Sequence, residues 1–281
     1  MKIVFIGSGN VATHLSMALQ NAGNEIVQIY SRTLTNAQIL AEKISNASAE
    51  KISGASAEKI NGRAAERCLA TDDINKICTN ADAYIFSVKD DALREIACVL
   101  GGEISSIGAS PLFIHTAGSV PMDVFKAIVS DYGVLYPMQT FSKARAVNFN
   151  TIPCFIEASN EAALGQIKAL ASSISSRVQE ASSENRKKMH LAAVFACNLT
   201  NHCYRLAERI VNEEGFDFNL FQPLIEETAK KVCEMSPREA QTGPMVRNDK
   251  TIMEAQMQLI NDDRTRKIYE LMAESIYLDK K

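Results

Sequence analysis

Apolar residues in the first two-thirds of the chain come in short, nearly unbroken runs. Ile3-Val4-Phe5-Ile6 ends at Gly7, and strand-like runs follow at 25–30, 67–70, 83–88, 111–115, 133–136, 153–157 and 177–180. Runs of this length without polar alternation suit strands covered on both faces, the usual state of a parallel sheet. Helix-compatible segments separate them: Asn10 to Asn21, closed by Gly23, a stretch beginning near Asn36, then 72–78, 90–100, 122–130 and 160–175. Alternating strands and helices predict an α/β fold with a doubly wound parallel sheet. From about Ser183 no strand-like run survives. Glu184 to Glu213 reads as one long helix broken at Gly215, with further helices near 219–235 and 249–277. The pattern therefore predicts two domains, 1–183 built on a sheet and 184–281 all-helical.

One segment stands apart. AEKISNAS (41–48), AEKISGAS (49–56) and AEKINGRA (57–64) repeat at a period of eight. Eight residues advance a helix by ~800°, so Ile44, Ile52 and Ile60 rotate by ~80° per copy and share no stripe. Repeat architectures need units of ~20 residues or more. The octads read as a tandem duplication that lengthens a surface helix and its loop.

Composition narrows the function classes. Lys plus Arg is 30 and Asp plus Glu 33 among 281 residues, and both halves are balanced: 15 basic against 17 acidic up to position 183, and 15 against 16 beyond. A nucleic-acid partner would want a basic half or stripe. No apolar run approaches the ~18 residues of a membrane span, and the N-terminus lacks a signal-peptide layout. These features predict a soluble, cytoplasmic protein without a nucleic-acid or membrane partner. The seven cysteines (Cys68, Cys78, Cys98, Cys154, Cys197, Cys203, Cys233) are odd in number and none is spaced CxxC. They read as buried free thiols, and no metal site is expected.

The chemistry begins at Gly7-Ser8-Gly9-Asn10-Val11-Ala12, which fits GxGxxA between a first strand and a first helix. Gly7 permits the tight turn, Gly9 lets backbone approach a pyrophosphate, and Ala12 lets helix pack on strand; the helix N-terminus offers free N–H groups to phosphate. This placement makes the fold Rossmann-type. The second strand then ends in Tyr30-Ser31-Arg32-Thr33. NAD sites place an Asp or Glu there for the ribose hydroxyls, whereas Ser31, Arg32 and Thr33 suit a 2′-phosphate, so the expected cofactor is NADP. Ser87-Val88-Lys89 after the fourth strand and His115-Thr116 after the fifth are expected along the cofactor, with Ser119 beside the substrate.

Assembled, these segments give the chain a family likeness. GSGNVATHL (7–15), SRT (31–33), HTAGS (115–119), YPMQTFS (136–142), HLAAVFACN (190–198) and QTGPMVRND (241–249) resemble proteins that pair a Rossmann-like domain with domain of unknown function 2520. These are similar to pyrroline-5-carboxylate reductases and deazaflavin-dependent NADP oxidoreductases. The resemblance implies a helical second domain like the C-terminal domain of 6-phosphogluconate dehydrogenases. It does not supply a substrate. Where the family often has RGD this chain has Arg247-Asn248-Asp249, and Met189 stands where an aromatic residue is common.

Hydride transfer needs positioning, water exclusion and a proton donor. Of four histidines, His14 reads as a packing or surface residue and His115 as either structural or cofactor-facing; His202 reads as a neighbour of Asn198. In related two-domain dehydrogenases the helix between domains carries catalytic side chains, which the resemblance extends to His190 and Asn198. On a regular helix these lie ~80° apart in projection and ~12 Å along the axis. Thr242-Gly243-Pro244 breaks the helical pattern before Arg247 and Asp249. A helix starting there would let Thr242 and Arg247 receive a substrate carboxylate, with Gly243 and Asp249 also expected at the substrate and Arg247 among the catalytic residues; the alternative is a structural Arg247–Asp249 interaction or N-cap. The resulting expectation is an NADP(H)-dependent oxidoreductase acting on a small, anionic imine or carbonyl in a cleft between the domains, homodimeric through the helical domain. The rival expectation is a non-catalytic NADP(H)-binding sensor, and a deazaflavin remains an alternative hydride partner.

Overall fold

The computed structural model describes residues 1–54, 67–106 and 110–280. They divide into two compact units, Met1–Val194 and Phe195–Lys281.

The first unit is an eight-stranded, mostly parallel sheet: β1 (Lys2–Ile6), β2 (Glu25–Tyr30), β3 (Leu69–Thr71), β4 (Ala83–Phe86), β5 (Leu112–His115), β6 (Tyr132–Pro137), β7 (Cys154–Ala158) and β8 (Val178–Glu180). The spatial order is β3-β2-β1-β4-β5-β6-β7-β8. The chain winds outward from β1 one way to β3 and then the other way from β4, so the switch point falls between β1 and β4. Helices α1 (Asn10–Asn21), α2 (Leu34–Gly54), α3 (Asp90–Ser106) and α4 (Glu161–Ile174) cover the two faces. One apolar cluster packs Ile3, Phe5 and Ile85 against α1, α2 and α4; the other packs Val4, Tyr84 and Phe113 against α3. Burial on both faces is why these strands are apolar without alternation.

The sheet departs from a wholly parallel one at β7, which runs antiparallel to β6. The connection from Pro137 to Cys154 contains only one short 3₁₀ turn, Phe149–Thr151. Without a crossover helix to carry the chain back across the sheet, the next strand returns in the opposite direction. The expected helices at 72–78 and 122–130 shrink to 3₁₀ turns at Ile74–Lys76 and Met122–Phe125. Ala127 there has φ 67°, outside helical geometry, while Ile128 packs where a side chain at Gly101 would otherwise lie. The lengthened surface helix of the octads is present as α2 through Gly54, with Ile44 in the core. Residues 55–66, holding the rest of the repeat, lie outside the described residues. All seven cysteines are free, but only Cys68 and Cys154 are buried; Cys98 and Cys233 are exposed on helices.

The helical run from α5 (Ser183–Ala193) continues through a π-helical segment, Val194–Leu199, into α6 (Thr200–Glu213). The second unit adds α7 (Gln222–Glu234), α8 (Pro237–Ala240), α9 (Lys250–Gln258) and α10 (Asp263–Lys280). Among its described residues only Ile260, Thr265 and Ala273 are buried, whereas Phe195, Leu220, Leu224, Leu259 and Leu271 are exposed. Among the described residues no helix is long and apolar enough to cross a membrane.

Gly133 shows how tightly the β6–β7 pair closes. A Cβ there would stand 2.1 Å from the Glu157 carbonyl oxygen and 2.6 Å from Ile167 Cδ1. Gly133→Ala should therefore cost about 3 kcal/mol through forced backbone displacement. Urea unfolding should show a lower midpoint at unchanged slope, and an unchanged midpoint would contradict this packing.

Candidate active site

The glycine loop occupies the switch point. Gly7 follows β1 with φ +118°, and its N–H donates to the Tyr30 carbonyl at 2.8 Å. A Cβ at position 7 would stand 2.3 Å from the Ser87 carbonyl oxygen, so the loops after β1 and β4 touch through this glycine. Gly9 differs: nothing lies within 4 Å of where its Cβ would be. It caps α1 without a side-chain hydrogen bond, and the first turn, including Asn10 and Val11, holds no acid. The free N–H groups and positive helix end thus face open space, the cradle an anion requires.

Hydroxyl contacts bind the neighbouring loops together. Ser8 Oγ donates to Ser31 Oγ at 2.9 Å, joining the glycine loop to the end of β2. Arg32 and Thr33 follow, both exposed, and the Thr33 carbonyl accepts the first hydrogen bonds of α2. Ser87 Oγ and Thr116 Oγ1 are 3.1 Å apart across β4 and β5. Val88 packs beside Gly7 and Lys89 is exposed. Ser119 Oγ donates to Asp90 Oδ2 at 2.6 Å, so that hydroxyl is engaged at the start of α3.

His115 does not offer its ring to this edge. It is fully buried, 5.6 Å from the Phe125 ring. Its Nδ1 accepts from the Ala117 N–H at 3.2 Å, which leaves the proton on Nε2. Nε2 has no hydrogen bond of ordinary geometry, although the Pro121 backbone favours its protonated form. Burial first, and the Arg186 charge second, push its pKa down to about 3. The expectation of a cofactor-facing imidazole here is therefore corrected. The next strand residue points to the opposite side of the sheet. His14 stacks on Phe141 at 5.3 Å and meets the Ser142 carbonyl through Nε2 at 2.9 Å, a packing role.

His190 finds a partner that sequence reasoning passed over. Its Nδ1 lies 2.9 Å from Tyr136 Oη in β6. Gly118 lies against both rings; a Cβ there would come within 2.6 Å of His190 Nδ1 and 2.9 Å of Tyr136 Cζ. One helical turn earlier on the same face of α5 is Arg186, wholly buried. Its guanidinium donates to Glu157 Oε2 at 2.5 Å and the Val120 carbonyl at 2.5 Å, and it reaches Ser183 Oγ at 3.2 Å. Ser183 donates to both Glu157 oxygens. Burial raises the Tyr136 pKa, with Arg186 pulling the opposite way. The available signals were a tyrosine at a strand's carboxyl end and a glutamate in an apolar strand.

The remaining predicted residues lie in the second unit. Asn198 falls within the π segment, which breaks the regular α-helical step used to relate it to His190. Residues 243–248 form turns rather than a helix start. Gly243 and Asn248 have φ of 109° and 53°, and the Pro244 carbonyl accepts from both Arg247 and Asp249 N–H groups. Helix α9 begins at Lys250 with Asp249 as its cap, the carboxylate accepting from Ile252 N at 3.3 Å. The helix start expected at 242–244 is thus corrected: the helix begins at Lys250, and its N-terminus already carries the Asp249 carboxylate. Arg247 and Thr242 remain exposed. His202 is also exposed, in the first turn of α6.

Residues 2–100 match the family described as NADP oxidoreductase, coenzyme F420-dependent, and residues 152–276 match domain of unknown function 2520. A crystal structure of a candidate NADP oxidoreductase from Bacteroides fragilis is 43% identical, covering 98% of this chain and 97% of that one, with a TM-score of 0.84. The chain belongs to this NADP oxidoreductase family. Two more distant structures share the family fold. Protein TM1727 from Thermotoga maritima is 21% identical over 97% of this chain and 99% of that one, with a TM-score of 0.70. A pyrroline-5-carboxylate reductase from Coxiella burnetii is 16% identical over 99% and 96%, with a TM-score of 0.55. No curated protein matches the chain.

His115 makes stability depend on pH. Between pH 3 and 6.5 the unfolded chain takes up a proton that the folded chain refuses, so stability rises with pH across that window. Relative to His115→Leu, the unmodified protein should lose about 1.4 kcal/mol per unit as pH falls from 6 towards 4. Parallel stability curves for the two proteins would disprove a neutral, buried imidazole.

Proposed function

We propose that this family member reduces a small, anionic imine or carbonyl compound with NADPH. The observation that carries the cofactor half is the end of β2. Ser31, Arg32 and Thr33 stand there without an acid, and Ser31 is hydrogen-bonded to Ser8 of the phosphate loop. A 2′-phosphate needs hydroxyl and guanidinium donors at that point, while a carboxylate would repel it. The pyrophosphate would lie on Gly7–Gly9 and the first turn of α1. When bound, NADPH supplies the hydride. The chain's own groups orient the reactants, exclude water and manage the proton.

The substrate half rests on a cation left free. Arg247 is exposed and forms no ion pair among the described residues, which suits recognition of a carboxylate. Asn198, also exposed, is a candidate donor to the polarised C=N or C=O group.

Arg32→Ala should weaken NADPH binding by about tenfold or more while leaving NADH binding unchanged, following loss of a charge-assisted hydrogen bond. Titration by NADPH fluorescence measures this. Equal losses for both cofactors, or none, would count against the assignment of Arg32.

The same reading includes a homodimer formed through the second unit. Exposed Phe195, Leu220, Leu224, Leu259 and Leu271 leave that unit without a core of its own. A second copy of the same surface is an occupant that supplies a matching apolar face. Sedimentation should give a dimer at micromolar concentration, with a melting temperature that rises with concentration. A stable monomer would refute it.

A further inference from the structure

The direction of the cofactor follows from the two ends of its cradle. The ribose phosphate belongs at Ser31–Thr33 on the β2 side of the switch point, and the pyrophosphate belongs at Gly7–Gly9. The nicotinamide must then extend the other way, over the carboxyl ends of β4, β5 and β6. Gly118 after β5, Tyr136 in β6 and His190 on α5 meet on that side. Tyr136 Oη and His190 Nδ1 are 2.9 Å apart, and the rings meet edge to face at 5.8 Å between centroids. Gly118 leaves no room for a side chain beneath them.

Of the other proton donors after these strands, the Ser87 and Thr116 hydroxyls bond each other and Lys89 is exposed to solvent. The His115 ring is in the core, and the Ser119 hydroxyl is held by Asp90. Tyr136 is almost wholly buried, whereas His190 is half-buried, so the hydrogen-bonded pair leads from the interior towards solvent.

Resting on the NADPH reading above, the geometry points to Tyr136 as the catalytic acid, with His190 as the group that restores its proton. As the substrate carbon gains the hydride, the Tyr136 O–H bond breaks and an O–H or N–H bond forms on the product. The phenolate oxygen then takes the proton from His190 Nδ1 as Nε2 takes one from water, which leaves hydroxide in the solvent. Proton exchange of the half-exposed ring with water returns His190 from the Nε2–H to the Nδ1–H tautomer, so that one hydride and one proton leave in the product and both side chains are reset. Burial keeps the phenol protonated before the reaction, and the buried Arg186 charge favours the phenolate formed during it.

The test compares the unmodified protein with Tyr136→Phe and His190→Gln. NADPH fluorescence titration should give affinities within about twofold of one another. NADPH consumption is then followed with glyoxylate and pyruvate, each with and without methylamine to form the imine. Tyr136→Phe should slow turnover by about 100-fold or more, the range for loss of a general acid. His190→Gln should slow it less, because water can reprotonate the phenolate. Full turnover by Tyr136→Phe overturns the proposal. If none of these compounds is reduced, protein labelled with ¹³Cζ-tyrosine decides. NADP⁺ should shift the resonance that Tyr136→Phe removes, and an unmoved resonance overturns the proposal. Failure of the unmodified protein to bind NADPH strikes the cofactor reading itself, and the first titration shows that separately.

Discussion

The buried ion pair between Arg186 and Glu157 is the constraint on which the candidate site depends. One guanidinium ties three segments together: β7 through Glu157, the loop after β5 through the Val120 carbonyl, and the start of α5 through Ser183. Such a pair adds little net stability, since desolvating both charges offsets most of their attraction, yet removing one partner costs 3–5 kcal/mol. Its consequence is positional. With Arg186 fixed against the sheet, His190 one turn later is delivered to Tyr136 and over Gly118. Arg186 Nε remains buried without a partner, a cost the other contacts must outweigh.

The same economy of contacts governs the cofactor cradle. Gly7 lets the β1 and β4 loops approach until their backbones touch, and Ser87 then reaches Thr116 across to β5. The cradle and the Tyr136–His190 pair therefore share one set of strand ends. A shift in β4 relative to β1 would disturb both, because the loops after β1, β4, β5 and β6 form a continuous edge. Reduction needs this linkage, since hydride donor and proton donor must flank one substrate bond.

How much of this was legible in sequence follows from the range of each interaction. Strands covered on both faces announce themselves as apolar runs, and all eight lie within a few residues of their expected positions. The glycine loop was legible because its function needs only six consecutive residues. The direction of β7 was not, since it depends on the absence of a helix between Pro137 and Cys154. Arg186 was invisible as one cation in Asn185-Arg186-Lys187-Lys188, because its partners lie 29 and 66 residues away. His115 was misjudged for a related reason. The end of a strand points to the ligand edge, but which face the side chain takes depends on register, and register here sends it to Phe125.

The helical run after Arg186 shows where counting along a helix stops being informative. Up to Ala193, spacing from Arg186 predicts which side chains share its face. Within the π segment Val194–Leu199 the step of the α-helix no longer applies, so that counting stops there. Thr200 Oγ1 caps the irregularity by donating to the Phe195 carbonyl at 2.9 Å. A π segment is less stable than the α-helix it replaces, so its retention needs a reason beyond local propensity. The residues it carries, Cys197 and Asn198 among them, belong to a unit with almost no buried side chains of its own. Tyr136 and His190 are fixed by contacts within the first unit, whereas Asn198 and Arg247 are exposed residues of the second.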